Sequence, residues 1–552
     1  MKQKFLLSGI GIFISIMIFS QDTITKADLN TAAKVAALQF TEPELDSMLG
    51  NVRFERSNIM NMRKFPLDNG TPMTLAHSPV LPGMTFNKVQ QPVNWNIPAN
   101  VSLPKNRNDL AFYSILQLAS LIRNKKITSA ELTQFFIDRL KKFSDSLQCV
   151  VSYTEDIAMQ QARQADREIA QGKYRGPLHG IPYGLKDLFS VKGTKTTWGA
   201  EPYKNQVREE DAFVYSQLKK AGAVLIAKFT LGALALGDVW FGGRTNNPWD
   251  LKRGSSGSSA GSASATVAGL VPFAIGTETL GSIVSPSSTC GATGLRSTFG
   301  SVSRSGAMTL CWSLDKAGPI CRTAEDAAVV FNYLHGTDGL DASAVNMPFN
   351  YTGNYTGKAD WKKLKIAYAK NYFDKDTSKN DLQVLEVFRK LGVNLIPVDF
   401  PDSGVYYGNL IRTILSAECA AAFDDFTRSN LDDMMTRQTK ADWPNTFRAA
   451  RFIPAVEYIN ANRHRYLLMR NVNRVFQQFD VIIVPTFSGN QLSITNLTGH
   501  PALCMPNGFN RFNLPTSITF LGKLYGEANL LAVGKAYQDA TGWDEMHPEM
   551  FK

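Results

Sequence analysis

The sequence predicts an α/β fold in which a central mixed β-sheet is covered by helices on both faces. Amphipathic segments with helical spacing alternate with short apolar runs along most of the chain. The composition, with 44% hydrophobic and 19% charged residues, is that of a folded protein and not a disordered one. The length of 552 residues exceeds what a single core usually holds, so more than one structural unit is expected.

The first 20 residues have the pattern of a secretory signal peptide. Lys2 and Lys4 precede the apolar run 5–19, and Ser20 is followed by polar residues. A helix that spans a bilayer needs about 20 apolar residues, so no stable membrane span is expected from this shorter run. We expect a signal peptide at 1–20 and export to the periplasm or the medium, with an uncleaved membrane anchor as the alternative.

Residues 21–108 form a predicted N-terminal extension of helices and an extended arm. The segment 28–40 has helical apolar spacing, and Thr41 with Glu44 begins a second helix as a capping box. The segment 66–108 is rich in Pro and Asn and has little periodicity. We therefore expect it to lie as an extended arm on the main body.

Residues 109–540 form the predicted catalytic domain, and residues 541–552 form a C-terminal tail. A capping box at Thr128 and Glu131 begins one of the first helices of this domain. Short apolar runs predict buried strands, and a strand–helix–strand unit follows in the second half of the domain. The runs are 223–227, 271–275 and 481–485, and the unit is 364–368, 381–391 and 393–397.

Charge, histidine and cysteine patterns exclude several classes of function. The formal net charge is +11, but the basic residues are dispersed, so nucleic-acid binding is not expected. The six histidines have no metal-ligand spacing, and we expect neither a metal nor another cofactor. The six cysteines are scattered and are predicted to be small core residues, although a Cys311–Cys321 bridge is left open in an exported protein.

A Gly/Ser/Ala-rich segment, 254–281, gives the strongest chemical signal. Ser258 lies near its start, Ser282 directly follows it, and Lys186 lies earlier in the chain. A serine hydroxyl is a weak nucleophile that needs an adjacent base, and an amine can serve as that base without histidine or metal. Glycines beside the hydroxyls let backbone N–H groups converge on one point, as an oxyanion requires. The set predicts a serine hydrolase.

Five ordered segments resemble the amidase-signature family of Ser–Ser–Lys hydrolases over roughly 110–540. They are 176–187 around Lys186, 247–250, the Gly/Ser-rich segment, 315–319 with Arg322, and 496–501. The resemblance implies an amidase-signature fold in which Ser282 attacks the carbonyl carbon. Ser258 would bridge Ser282 to Lys186 and would follow a cis peptide bond. The backbone N–H groups of Thr279, Leu280, Gly281 and Ser282 would form the oxyanion hole.

This chemistry requires Lys186 to be neutral. Burial among apolar groups lowers the pKa of a lysine from about 10.4, and Ile181, Tyr183 and Leu185 supply such groups. A carboxylate facing the amine would have the opposite effect, so Asp187 is expected to point away from Lys186.

The chain departs from the commonest family pattern at three positions. Glu278 stands where Asp is usual, Leu280 where Gly is usual, and Val284 where Arg often occurs. The first change keeps the charge, the second keeps the backbone donor if the local φ suits leucine, and the third removes a charge. None removes a catalytic atom, but together they weaken any transfer of substrate preference.

Other motifs are weaker. Ser259 fits the G-x-S-x-G pattern of an α/β-hydrolase elbow, but no buried strand directly precedes it. Ser216 and Lys219 fit S-x-x-K within an amphipathic helix, where a solvated face is the simpler explanation. We interpret His179 and His500, which could suggest a catalytic triad, as structural. Three aromatic residues are kept as candidate pocket walls: Trp198, Trp240 and Phe241.

We conclude from the sequence that this is an exported amidase that hydrolyses a small carboxamide through an acyl-enzyme on Ser282. Its expected partner is a small-molecule amide, and loops within 400–470 are expected to select it. Two alternatives are a catalytically inactive binding protein with this scaffold and a glutamine-hydrolysing subunit of a transfer-RNA amidotransferase. The oligomeric state is left open.

Overall fold

A computed structural model of the chain describes residues 24–65, 67–351, 360–375, 378–402 and 407–552. The expected signal peptide at 1–20 lies outside the described residues. The chain divides into two compact units, Met1–Leu67 and Asp68–Lys552.

The smaller unit contains helices α1 (Lys26–Val35) and α2 (Glu42–Met62). The predicted capping box of Thr41 and Glu44 is present at the start of α2, where the Glu44 carboxylate accepts from the Thr41 N–H at 2.7 Å. Such boxes satisfy N–H groups that have no partner within the helix.

The larger unit is built on one eleven-stranded mixed sheet in the order β1-β3-β2-β4-β6-β5-β10-β11-β9-β7-β8. Pairing is parallel at β3-β2-β4 and at β9-β7-β8, and antiparallel elsewhere. The strands are β1 Val150–Tyr153, β2 Pro182–Lys186, β3 Val224–Phe229, β4 Ala274–Glu278, β5 Thr293–Arg296, β6 Lys316–Cys321, β7 Ile366–Ala369, β8 Ile396–Val398, β9 Val481–Pro485, β10 Ala502–Phe509 and β11 Pro515–Gly522.

Fifteen α-helices of the larger unit flank this sheet, counted over the described residues. They are α3 Ile115–Arg123, α4 Ser129–Leu147, α5 Glu155–Ala170, α6 Phe213–Lys220, α7 Ala260–Val267, α8 Val284–Cys290, α9 Ala324–Leu334, α10 Lys370–Phe373, α11 Lys379–Lys390, α12 Tyr407–Ala422, α13 Asp424–Arg428, α14 Trp443–Ala450, α15 Ala455–Phe476, α16 Gln491–Thr498 and α17 Glu527–Thr541. The predicted α/β fold with a mixed sheet is confirmed.

Most predicted strands occur close to their expected positions. The run 481–485 is strand β9, and the expected strand–helix–strand unit is β7, α11 and β8, with the two strands parallel. The run 271–275 is displaced, because the strand begins only at Ala274, after Pro272. Proline cannot donate a ladder hydrogen bond, so a central strand begins beyond it.

Residues 68–108 belong to the larger unit and form the extended arm, which ends in a short 3-10 helix at Arg107–Phe112. The Gln90 side chain donates to the Phe349 carbonyl at 3.0 Å, and the Trp95 ring stacks on Tyr351. At the other end of the chain Phe551 is buried, and its carbonyl accepts from Arg139 at 2.6 Å. Both termini of this unit are therefore held against its core.

All six cysteines are free and buried, so the Cys311–Cys321 bridge that the sequence left open is not formed. The Cys311 thiol instead donates to the Glu418 carboxylate at 3.1 Å. No helix within the described ranges is both long and apolar enough to cross a membrane.

Candidate active site

Lys186 lies at the carboxyl end of β2 and is completely buried. Its Nζ lies 2.8 Å from Ser258 Oγ, 3.0 Å from Ser259 Oγ and 2.9 Å from Thr277 Oγ1. No carboxylate of the described residues lies within ion-pair distance of this amine. The amine is therefore surrounded by hydroxyls, and one of them belongs to the predicted bridging serine.

The pKa of Lys186 is lowered to about 7. Burial is the largest cause, because it disfavours the charged form, and the more distant Asp315 and Glu278 only partly oppose it. A substantial fraction of this lysine is therefore neutral near neutral pH, as a general base must be.

Ser258 precedes α7 and is reached through a cis peptide bond from Gly257, as the resemblance implies. A side chain at Gly257 would collide with the Gly237 carbonyl oxygen, since an added Cβ would lie 1.9 Å from it. Only glycine therefore lets the loop around Gly237 pack against the segment that presents Ser258.

Ser282 lies in the oxyanion loop, residues 279–282, which joins β4 to α8. The carbonyls of Gly281 and Ser282 accept from the N–H groups of Ser285 and Ser259, at 2.7 Å and 3.1 Å. In the part of the chain that the structure describes, none of the four loop N–H groups donates to a protein acceptor. This arrangement leaves the predicted oxyanion-hole donors free.

Ser282 is 8% exposed, and over the same described ranges its hydroxyl makes no hydrogen bond to Ser258. The first two members of the predicted set are therefore in direct contact, whereas the third lies in the adjoining loop without a bond to them.

Glu278 anchors both ends of this loop. One carboxylate oxygen accepts from the N–H groups of Ile283 and Val284, both at 2.9 Å. The other accepts from Arg296 at 3.0 Å and from Asn496 at 2.9 Å. Burial alone would raise the pKa of Glu278, but Arg296 and then Lys316 outweigh it and lower the pKa to about 2. Glu278 is thus charged and fixes the turn that carries Ser282.

The other two departures from the family pattern are also accommodated. Leu280 is not among the described residues with positive φ, whereas Gly281 has a φ of +83°. The left-handed conformation therefore falls on glycine, and leucine keeps its backbone donor without strain. Val284 is buried, and its N–H donates to Glu278 at 2.9 Å, so this backbone contact does not depend on an arginine side chain.

Asp187 points away from Lys186, as predicted. Its carboxylate lies 2.9 Å from Lys228 Nζ and accepts from the Thr197 N–H at 2.8 Å. Successive side chains of an extended chain point to opposite sides, so the residue after Lys186 faces the other side of the sheet.

The structure adds two residues that the sequence interpretation did not place in the site. Thr277 contacts Lys186, and Ser259 contacts both Lys186 and the backbone of Thr277. The alternation in 276–279, with Thr277 and Thr279 two positions apart, is the signal that could have placed Thr277 there. Ser259 is buried and bonded on all sides, which argues against its being an elbow nucleophile.

The two histidines and the serine of the S-x-x-K motif make no hydrogen bond to Lys186 in the described structure. His179 lies 3.1 Å from a Glu168 carboxylate oxygen, and His500 bonds to Thr498 and stacks on Phe476. Burial lowers the pKa of His500 to about 3, so it stays neutral. Both histidines are structural, as predicted. Ser216 lies on α6 beside an open surface groove.

A cavity of about 80 Å³ adjoins the lysine and the oxyanion loop, and Thr277 and Thr279 form part of its wall. Its apolar wall includes Leu188, Phe189, Met308, Leu310, Trp312 and the exposed Leu340, whereas Lys186, Ser258 and Ser282 are not among the residues that line it. No described residue of 400–470 lines this cavity, so the expectation that loops of that range select the substrate stays a prediction. That range is mostly helical.

The aromatic candidates also lie elsewhere. Trp198 faces the open groove, and Trp240 packs edge-on against Phe241. None of the three lines the cavity, whose aromatic walls are Phe189 and Trp312. Among the described residues no group of three or more His, Cys, Asp or Glu side chains could hold a metal ion.

The sequence model of the Amidase family matches residues 131–495. The chain belongs to the amidase family. The A subunit of the glutamyl-tRNA(Gln) amidotransferase from Coxiella burnetii is 34% identical over 483 residues, which cover 79% of this chain and 99% of that relative. The corresponding protein from Geobacillus kaustophilus is 32% identical over the same shares of both chains.

Solved structures of the family have the same fold. The peptide amidase of Stenotrophomonas maltophilia superposes with a TM-score of 0.70 at 27% identity, over 79% of this amidase and 98% of that chain. A bacterial aryl acylamidase superposes with a TM-score of 0.69 over 79% and 97%, and at 23% identity it supports the fold alone. This amidase is an enzyme that hydrolyses carbon–nitrogen bonds of amides, so the alternative of an inactive binding protein is set aside.

Proposed function

We propose that this amidase hydrolyses a small carboxamide through an acyl-enzyme on Ser282, with Ser258 as proton relay and Lys186 as general base. The observation that carries the proposal is the 2.8 Å contact between the buried Lys186 amine and the Ser258 hydroxyl. An ordinary surface lysine would be protonated at neutral pH and could not accept a proton.

In the proposed first half-reaction, Ser258 passes its proton to Lys186 and takes the proton of Ser282. The Ser282 oxygen then attacks the amide carbon, and the free N–H groups of 279–282 stabilise the oxyanion. Because the two serines are not bonded in the described structure, the Ser282 hydroxyl must first rotate toward Ser258. The relay returns a proton to the leaving nitrogen, the C–N bond breaks, and water repeats the sequence on the acyl-enzyme.

The nucleophile is tested by Ser282→Ala and by the mass of the trapped acyl-enzyme. Turnover of a panel of aliphatic and aromatic amides should be lost, and the covalent mass gain should map to Ser282 in the wild type. The matched control is Ser262→Ala, a buried serine on α7 whose hydroxyl bonds to the Ile275 carbonyl. Retention of wild-type turnover by Ser282→Ala would refute the assignment.

A second candidate is the glutamine-hydrolysing subunit of a transfer-RNA amidotransferase. It is supported by the identity of 34% along 99% of the Coxiella burnetii protein, a stronger sequence match than the 27% to the peptide amidase. Both candidates share the first half-reaction and differ in the amide that is bound and in the fate of the ammonia.

The two candidates are separated by substrate and by assembly. The amidotransferase candidate expects L-glutamine to exceed simple carboxamides in kcat/KM, and expects stoichiometric partner chains to co-purify from the native host. Hydrolysis of simple amides by a chain without partners, with no glutamine turnover, would favour the first candidate.

We also propose export, on the basis of Lys2, Lys4 and the apolar run 5–19. Cell fractionation with N-terminal sequencing tests it. A mature protein that begins after Ser20 outside the cytoplasm is expected, whereas a cytoplasmic protein with Met1 intact would support the amidotransferase candidate.

A further inference from the structure

The cavity lined by Thr277 and Thr279, which we call the inner cavity, has part of its wall formed by a short segment of the N-terminal arm, residues 68–72, which we call the strap. Gly70 and Pro72 line this cavity of about 80 Å³. The whole strap also lines an open surface groove of about 850 Å³. The strap thus forms part of the wall between a small chamber at the chemistry and a large groove outside it.

Asn69 holds the strap in place. Its amide nitrogen donates to the Thr309 carbonyl at 3.0 Å and to the Ala422 carbonyl at 3.2 Å, and its oxygen accepts from the Thr309 N–H at 2.9 Å. An asparagine amide can make this two-way pairing with one backbone residue because it offers a donor and an acceptor side by side. Asp68 shapes the strap itself, since its carboxylate accepts from the Gly70 N–H at 2.9 Å.

Thr309, the residue that Asn69 bonds to, lines the inner cavity, and the residues after it are hydrogen-bonded through Asp315 to the oxyanion loop. The N–H groups of Leu310 and Cys311 donate to one oxygen of Asp315, both at 2.9 Å. The other Asp315 oxygen accepts from the Thr279 hydroxyl at 2.6 Å. One connected set of hydrogen bonds therefore runs from the strap through Thr309 to the loop that carries Ser282.

The size of the inner cavity limits what it can hold. A water-sized group takes about 10–15 Å³ on this measure, so the chamber accommodates roughly five to eight such groups. The outer groove is about ten times larger by the same measure. A substrate group that extends from the inner cavity past Gly70 and Pro72 must displace the strap, which requires breaking the Asn69 contacts.

We propose that the strap sets the size of the substrate and that Asn69 is the positioning residue that holds it. The inference rests on the proposed function, since it concerns the group bound beside Ser282. It names the substrate class as amides with a compact group, of about eight non-hydrogen atoms or fewer, in the inner cavity.

The test compares the rates at which methyl and octyl fluorophosphonates label Ser282 in the full chain. The ratio of the methyl to the octyl rate is measured by intact mass in wild type, Asn69→Ala and the control Asn87→Ala. Asn87 lies in the same arm, and among the described residues its side chain accepts only from the nearby Val89 N–H, at 3.0 Å. A second variant, Leu340→Ala, trims a highly exposed side chain that lines both the chamber and the groove without touching the Asn69 contacts.

We expect wild type to favour the methyl probe, and Asn69→Ala to lower the methyl-to-octyl ratio by about tenfold or more, the scale on which pocket size discriminates. Leu340→Ala should lower it in the same direction, and Asn87→Ala should leave it unchanged. An unchanged ratio in both Asn69→Ala and Leu340→Ala would overturn this inference alone. No labelling of Ser282 in folded wild type would instead overturn the proposed function beneath it.

Discussion

Lys186 and Lys228 are two completely buried lysines on the adjacent strands β2 and β3, and their surroundings differ in one decisive respect. Lys228 lies 2.9 Å from the Asp187 carboxylate and so has a buried counter-charge. Lys186 has only hydroxyls and a carbonyl around its amine. Burial is common to both, so what separates a lysine in a buried ion pair from a candidate base is the set of groups around its amine.

The register of the sheet explains how two neighbours acquire such different partners. Lys228 pairs with Leu185, and Lys186 pairs with Phe229, so the two amines leave opposite faces of the same pair of strands. Lys228 contacts Asp187 and Thr196 on one face, and Lys186 contacts the serines before α7 on the other.

Lys316, a third buried lysine, shows that a lowered pKa alone does not identify the base. The pKa of Lys316 is also lowered to about 7, mainly by burial and then by Arg296, but its amine donates to the Leu314 carbonyl and not to a serine. A neutral lysine is therefore necessary for the proposed chemistry but not sufficient. Contact with Ser258 is what distinguishes Lys186 as the proposed base.

The largest expected effect is that of Lys186→Ala. Removing the base should lower kcat/KM for amides by about 10³-fold or more. The truncation also leaves a buried cavity and removes a hydrogen-bond partner from Ser258, Ser259 and Thr277, so the melting temperature should fall and rates are compared well below it. The measurement is steady-state kinetics beside a thermal melt, with the exposed Lys192→Ala as control. Substantial amide hydrolysis by Lys186→Ala would mean that Lys186 is not the base.

Lys228→Met should show the opposite pattern. It leaves the buried Asp187 carboxylate without its counter-charge, which costs about 3–5 kcal/mol of stability. Chemical denaturation measures this loss, and the double variant Lys228→Met/Asp187→Asn should recover part of it. Unchanged stability in the single variant would mean that the Lys228–Asp187 pair is not structural.

The pH dependence follows from the lowered pKa of Lys186. The base must be deprotonated, so kcat/KM should rise about tenfold per pH unit below pH about 7 and level off above it. Rates from pH 5 to 9 measure this, and labelling of Ser282 by a fluorophosphonate should follow the same curve. A flat profile between pH 5 and 8 would contradict a lysine base.

The smallest expected effect is that of Ser259→Ala. It removes one of three hydroxyls around Lys186 and leaves Ser258 and Thr277 in place, so a fall in kcat of about tenfold or less is expected. Ser262→Ala, in helix α7 directly after Ser259, should have no effect on kcat. A fall as large as that of Lys186→Ala would give Ser259 a share in the proton relay.

Much of the fold could be predicted because its signals are local. Capping boxes at Thr41 and Thr128 and apolar runs such as 481–485 depend on residues close in sequence. Strand order could not be predicted in this way, since β4 lies between β2 and β6 through contacts distant in the chain. The boundary of β4 was misplaced because an apolar run does not reveal where its proline ends the ladder.

The residues of the candidate site could be named from the sequence, but their contacts in three dimensions could not. Lys186, Ser258 and the free N–H groups of 279–282 follow from motifs and from a family resemblance. Thr277 and Ser259 as partners of the amine, and the walls of the cavity, were missed. They come from strands and loops far apart in sequence. Selection of the substrate by loops within 400–470 stays a prediction, although no described residue of that range lines this cavity.

The amino-acid sequence by itself determined the chemical groups of this protein, the α/β class and its family membership, because residue types and local spacing carry that information. Tertiary structure alone decided which buried lysine lacks a carboxylate and which segment of the arm closes the chamber. These depend on sheet register and on long-range packing, in which a shift of one residue exchanges the two faces of a strand.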